Sequence, residues 1–482
     1  MQPVERILQA FENISAIPRG TFNEAGIRAW LVDWAAKRNL RTQTDETGNL
    51  VLYLPATAGY ENAAPVILQG HLDMVCQKTP DSPHDFTRDP IRLVFDGDWL
   101  KADQTTLGAD NGISIAIMMA LTEDPAVEHP ALECLLTIEE EQGGRGADFL
   151  DPQLLSSRTL INLDSEDEGV LIVGCAGSVT NFVDLPLTWQ PLGTEQVFDI
   201  NINGLQGGHS GAEIHEPRAN ANKLLARLLD LVQQEVPLRL INLKGGSARN
   251  AIPRDAAAVV ACAADQAQTC KAAFDRAAAI LKREYAIHEK AMRLTLTETA
   301  GKPSAAVTAA DSQRAIWLLL AVPNGVFRMS DEIQGFVETS NNIGIVELDQ
   351  QGLHIVSNHR SAVRSRLEEI ARRVEIIGRL AGAQVTFNKF FNPWEPNFES
   401  PLLEVCKHVY EAEFGQPAKI ELIHAGLECG TITNSSERPA KLKRSPGRRR
   451  PMKSSSIVPI RAPRRNRISI VASAVIVPIP RR

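Results

Sequence analysis

An α/β layer with a mainly parallel sheet, carrying an inserted α+β domain, is the architecture predicted by this 482-residue sequence. Three observations lead there. Residues 1 to about 185 alternate helical periodicity with short, near-continuous apolar runs, the pattern of buried parallel strands joined by helices. From about Val197 the texture changes to longer strands and to amphipathic or Ala-rich helices. The segment Asn392-Pro-Trp-Glu-Pro-Asn397 then reads as a crossing back to the first domain. The length alone also argues for more than one core.

The elements follow in order. Val4, Ile7, Leu8 and Phe11 form the apolar stripe of an N-terminal amphipathic helix, which lacks the apolar core of a signal peptide. Residues 26–38 are helix-like and Leu50–Leu54 strand-like; Val66–Gln69 is an apolar run that ends at Gly70-His71. Gly112–Leu121 reads as a buried helix stopped before Pro125, and Leu132–Ile138 and Thr159–Leu163 as buried strands. In the middle of the chain, Val197–Ile202 and Ala256–Ala261 are strands, and Ala219–Gln234 and Ala267–Lys290 are helices. A similar strand–helix set recurs across 292–387, and Leu402–Phe414 opens the returning portion as a helix.

Composition bounds the function. With 44% hydrophobic and 23% charged residues the chain is globular. No run reaches the roughly 18–20 apolar residues of a membrane span. The seven cysteines are scattered and form no C-x-x-C pair, which suits reduced thiols and a cytoplasmic location. The net charge of −7 hides an asymmetry: 37 basic and 57 acidic residues lie in 1–430, against 14 basic and one acidic (Glu437) in 431–482.

Four candidate metal ligands, His71, Asp110, Glu141 and Asp164, each fall just after an apolar run. In an α/β sheet ligands collect beyond the C-terminal strand ends, and a neutral imidazole plus carboxylates is a donor set for metal-assisted hydrolysis. In Gly70-His71-Leu72-Asp73 a carboxylate two residues on can hydrogen-bond the second ring nitrogen and fix its orientation. Asp110, in Leu107-Gly-Ala-Asp-Asn-Gly112, is placed as a helix N-cap or as a carboxylate bridging two cations. Glu139-Glu140-Glu141 abuts a buried strand, where repulsion calls for cations. One of its last two glutamates can bind metal while the other takes a proton from water.

Gly70-His-Leu-Asp73, Leu107-Gly-Ala-Asp-Asn-Gly112, Glu140-Glu-Gln-Gly143 and Asn162-Leu-Asp-Ser-Glu166 together resemble the cytosolic aminoacyl-histidine dipeptidases, within the dinuclear-zinc exopeptidases. The resemblance covers about residues 1–430. It implies a zinc-exopeptidase-like catalytic domain over 1–190 and 393–430 and a lid domain over 191–392, while the charge asymmetry marks 431–482 as an atypical basic tail. It also implies a homodimer, with dipeptides of broad specificity, Xaa-His among them, as substrates. Two zinc ions are implied in relatives, other divalent metals remaining open: His71 and Asp164 on one, Glu141 on the other and Asp110 bridging. Asp73 would orient His71 and Glu140 would be the general base. Gly207-Gly-His209-Ser-Gly211 is similar to a lid motif whose histidine helps stabilise an oxyanion. Asn250 and Arg360 match carboxylate-binding positions, and Glu428, in His424-Ala-Gly-Leu-Glu-Cys-Gly430, is placed near the substrate amino group.

After Gly430 the chain departs from the family. The relatives continue to a His-Ser-Pro-Asp-Glu segment whose histidine completes the second zinc; here all ten histidines precede residue 431. A shifted reading frame and a natural basic tail both account for 431–482, and the abruptness of the change favours the first. The expectation is a weak second zinc site and impaired activity. The alternatives are a catalytically inactive homologue, or a nucleic-acid binder acting only through the tail.

Overall fold

The computed structural model describes residues 2–97, 99–165, 167–299, 301, 303–434, 460–461 and 475–478. The basic tail expected over 431–482 therefore lies mostly outside the described residues. The chain forms two compact units. One comprises Met1–Gly174, Pro396–Leu422 and Leu427–Arg482, the other Cys175–Glu395 and Ile423–Gly426.

The first unit opens with the helix Pro3–Ser15. Proline suits a first helical turn, where its missing N–H has no intrahelical partner to lose, and the Gln2 N–H donates to the Glu5 carboxylate at 3.0 Å. Its apolar stripe buries Ile7, Phe11 and Ile14 in a core with Ile27, Leu31 and Ile115. Each such side chain contributes roughly 1.5–3 kcal/mol on full burial. Among the described residues the sheet has six strands, in the order Arg41–Thr44, Leu50–Leu54, Leu132–Thr137, Val66–His71, Thr159–Asn162, Val475–Pro478. The parallel pairing expected from the sequence is confined to the centre, where Val66–His71 runs parallel to both neighbours. The outer pairings are antiparallel. The short link 45–49 explains the first of these, because a tight connection can only return a strand antiparallel.

The helix expected over Gly112–Leu121 spans Ala109–Glu123 and buries Ile115, Ala116, Met118, Met119 and Ala120. Its first turn lies against Gly70: a Cβ there would overlap Ser114 Oγ and Asn111 Oδ1. Glycine at this strand end is what lets the helix start approach His71.

The second unit carries an antiparallel sheet of nine strands among the described residues. The helices Ala221–Gln233, Ala267–Glu284 and Ala309–Ala321 share its core with Phe198, Ile200, Val260, Ile343 and Ile355. Asn220 caps the first of them, its side chain accepting the N–H groups of Asn222 at 3.0 Å and Lys223 at 3.3 Å. The Ala-rich helix stops at Glu284, short of the expected Lys290. Beyond it Glu289 is buried and accepts the N–H groups of Gln206 at 2.9 Å and Ala219 at 2.8 Å, which takes the chain off the helical path.

Candidate functional site

His71, at the end of the central strand Val66–His71, has no solvent exposure. Its Nδ1 faces Asp73, 3.1 Å from the backbone carbonyl and 3.2 Å from Oδ1. Its Nε2 lies 2.9 Å from Asp110 Oδ1 and 3.6 Å from Asp164 Oδ1. His71, Asp110 and Glu141 each offer a ligand atom, and all three atoms lie within 4.8 Å of one another. The structure thus brings together residues from three strand ends and from the start of the helix Ala109–Glu123, where Asp110 stands rather than at the strand end expected of it.

Asn111 sets the spacing. Its Oδ1 accepts the His71 N–H at 3.1 Å and its Nδ2 donates to the Leu163 carbonyl at 2.9 Å, so one side chain ties two strand ends to the helix start. The Asp110–Asn111 peptide is cis.

Asp73 anchors the acidic turn. Its carboxylate accepts the N–H of Glu140 at 3.1 Å, the N–H of Glu141 at 3.2 Å and the hydroxyl of Thr21 at 2.9 Å. Glu139 points elsewhere, and Arg145 donates to it at 3.0 Å. Part of the repulsion expected in the Glu139–Glu141 run is therefore offset by an arginine.

The remaining carboxyls press on one another. Burial pushes Glu140 well above the usual carboxylate range; His71 counters it, and Asp164 and Glu428 add to it. Burial, with Asp110 adding, pushes Glu141 up to about 7. Burial likewise raises Glu428 to about 7, against the hydrogen bond from Thr137. His71 is held well above its ordinary value: burial opposes protonation, but Asp164, Asp110 and Asp73 outweigh it. Glu141 Oε1 and Glu428 Oε1 are buried without a hydrogen-bond partner. Converging hard oxygens, one imidazole and an orphaned buried oxygen fit a divalent cation, which would relieve the repulsion.

The second unit carries His209, Asn250 and Arg360. The pairing of Gly208–His209 with Ala251–Ile252 sets the 207–211 loop beside Asn250, whose carbonyl accepts the Ser210 N–H at 2.8 Å. His209 Nδ1 accepts the Ala212 N–H at 3.2 Å, which leaves Nε2 as the protonated nitrogen of the neutral ring. Burial and then Arg360 hold His209 below its ordinary value, so that ring stays neutral. Arg360 is buried with no partner for its Nε, and burial, with Arg249, lowers it to about 10. His424 lies in the same unit and is hydrogen-bonded to Ser340 Oγ at 2.8 Å.

Two site residues carry no motif. Glu428 Oε2 accepts from Gln69 Nε2 at 2.8 Å and from Thr137 Oγ1 at 2.6 Å. The signal available in the sequence was a polar residue near the end of each apolar run. Glu428 itself is brought to these strands by the helix Glu428–Asn434.

Residues 200–289 match the family model described as peptidase dimerisation domain. The chain is 43% identical over 422 residues to the cytosol non-specific dipeptidase of Escherichia coli (strain K12), covering 87% of each. A crystal structure of aminoacylhistidine dipeptidase from Vibrio alginolyticus superposes with a TM-score of 0.82 at 38% identity, covering 89% of this chain and 88% of that one.

Proposed function

We propose, for a chain that belongs to the cytosol non-specific dipeptidase family, that it is a zinc-dependent hydrolase of dipeptides, Xaa-His among them. The observation that carries this reading is the convergence of His71, Asp110 and Glu141 within 4.8 Å, with Asp164 3.6 Å from the same imidazole nitrogen. His71, Asp110, Glu141 and Asp164 would hold the metal. A divalent cation there supplies Lewis-acid polarisation of the scissile carbonyl and eases deprotonation of the attacking water.

The side chains do the rest. Asp73 keeps the His71 ring oriented so that Nε2 faces the carboxylates. Glu140, whose burial raises its proton affinity, takes the proton of the attacking water and passes it to the leaving amine. The neutral His209 ring donates through Nε2–H to the developing oxyanion. Arg360, a buried cation with an unpartnered Nε, and Asn250 bind the substrate carboxylate, for which a guanidinium fork is suited. Glu428, with one orphaned buried oxygen, takes the substrate ammonium.

The second metal is where this chain differs. With no histidine after 424, Asp110 and Glu141 alone remain for it. The proposed enzyme holds one metal firmly and turns over well below its relatives. A dimer is supported by the match of 200–289 to a dimerisation domain, and a cytoplasmic setting by the name of the Escherichia coli relative. Among the described residues no helix is long and apolar enough to cross a membrane.

Assay of Xaa-His and other dipeptides, with metal analysis of the same sample, tests the reading. Metal-dependent release of free amino acids supports it. Zinc content without turnover would instead identify a catalytically inactive homologue, and absence of both overturns the metal reading.

A further inference from the structure

We propose that Arg19 is a positioning residue of the metal centre, its one guanidinium fixing the chain segments that carry His71 and Asp110. This rests on the metal-binding reading above. The segment after the first helix runs beside Leu72–Met74: the Met74 N–H donates to the Arg19 carbonyl at 3.1 Å, and Gly20 and Met74 form a parallel bridge. The Arg19 side chain turns inward and is 2% exposed. Nη1 donates to the carbonyls of Leu72 at 3.0 Å and Asp73 at 2.9 Å, and Nη2 donates to the carbonyl of Gly108.

Those three acceptors are backbone atoms on either side of the site. Leu72 and Asp73 directly follow His71, and Gly108 precedes Asp110 by two residues. The guanidinium is therefore a clamp between two ligand-bearing segments rather than one half of a surface ion pair. Two glycines leave it room: a Cβ at Gly108 would lie 2.8 Å, and one at Gly112 2.5 Å, from Nη2. Burial lowers Arg19 to about 10, with Asp73 and Asp110 acting to raise it, so the group is still a cation at neutral pH. A planar fork can address carbonyls in two directions at once, which a lysine ammonium on its single stem does not reproduce.

The test uses the full chain with zinc alone as the probe. Zinc affinity is measured by competition with a chromophoric chelator at fixed pH for the unsubstituted protein, Arg19→Lys and Arg19→Ala. Both substitutions are expected to weaken binding roughly 10–100-fold, the range for residues that support metal ligands. Millimolar guanidinium ion should restore part of the affinity to Arg19→Ala, which a general loss of stability would not produce. Where Arg19→Ala fails to fold, Gly112→Ala serves, because its Cβ displaces the guanidinium without removing a charge; it should weaken zinc in the same range. Folded Arg19→Lys or Gly112→Ala that binds zinc as tightly as the unsubstituted chain overturns the proposal and leaves the metal reading standing. An unsubstituted chain that binds no zinc overturns both.

Discussion

The Asp73 carboxylate accepts the backbone N–H of Glu140 at 3.1 Å, while its Oδ1 also lies 3.2 Å from His71 Nδ1. One buried acid thus sets both the orientation of the imidazole and the position of the proposed base. The coupling separates the roles of Glu140 and Glu141, because Asp73 holds the turn by backbone N–H groups and leaves both glutamate side chains free to differ.

Glu140→Gln should therefore keep the turn and the metal and lose the proton acceptor. Turnover is expected to fall by roughly 10²–10⁴-fold, the scale of general base catalysis, with zinc content unchanged. Comparison of kcat with metal analysis checks this. Loss of metal with retained turnover would mean that Glu140 and Glu141 have exchanged roles.

His209→Ala should lower kcat by roughly 10²–10³-fold, the scale of a lost oxyanion donor. Metal stoichiometry should not change, since His209 is not one of the residues whose ligand atoms converge, His71, Asp110 and Glu141. A fall in zinc content would assign His209 to the metal instead.

Titration with zinc should give about one tightly held ion per chain and a much weaker second. On the proposed assignment His71, Asp110 and Asp164 would supply three protein ligands to one position, and the other would keep only the carboxylates of Asp110 and Glu141. Restoring a family-like C-terminus with its histidine should recover the second ion and the activity together. Two tight ions in the present chain would show that another side chain completes the second position.

Acid should destabilise the second unit through His359. Burial lowers this ring from 6.5 to about 3, and its Nε2 is hydrogen-bonded to Asn181 Oδ1 at 2.8 Å. The unfolded chain binds the proton first, so stability is fully present above the unfolded value and is lost as pH falls from about 6.5 towards 3, by up to about 1.4 kcal/mol per pH unit for this group. Denaturant melts at pH 7 and pH 4.5 measure the loss, which should shrink in His359→Gln. An equal loss in both proteins would place the acid sensitivity elsewhere.

The sequence by itself determined the strand ends and what stands on them. His71, Glu141 and Asp164 follow apolar runs whose β character is set by local residue type, and period and composition are properties of a few neighbouring residues; Asp110, expected at a strand end as well, stands instead at the start of the helix Ala109–Glu123. The helix read over Gly112–Leu121 and the strands read over Val197–Ile202 and Ala256–Ala261 were legible for the same reason. Only the tertiary structure decided the rest. That Gln69 and Thr137 meet Glu428, some 359 and 291 residues away in the chain, depends on the chain's return after its second unit. That Arg145 takes Glu139 out of the acidic cluster depends on a one-turn helix, Arg145–Asp148. Arg19 sits in a loop without periodicity, and only burial beside Gly108 and Gly112 directs its guanidinium onto three carbonyls. Local pattern specifies which face of an element is apolar; which polar groups must satisfy one another inside is fixed only when distant segments are packed and their water is removed.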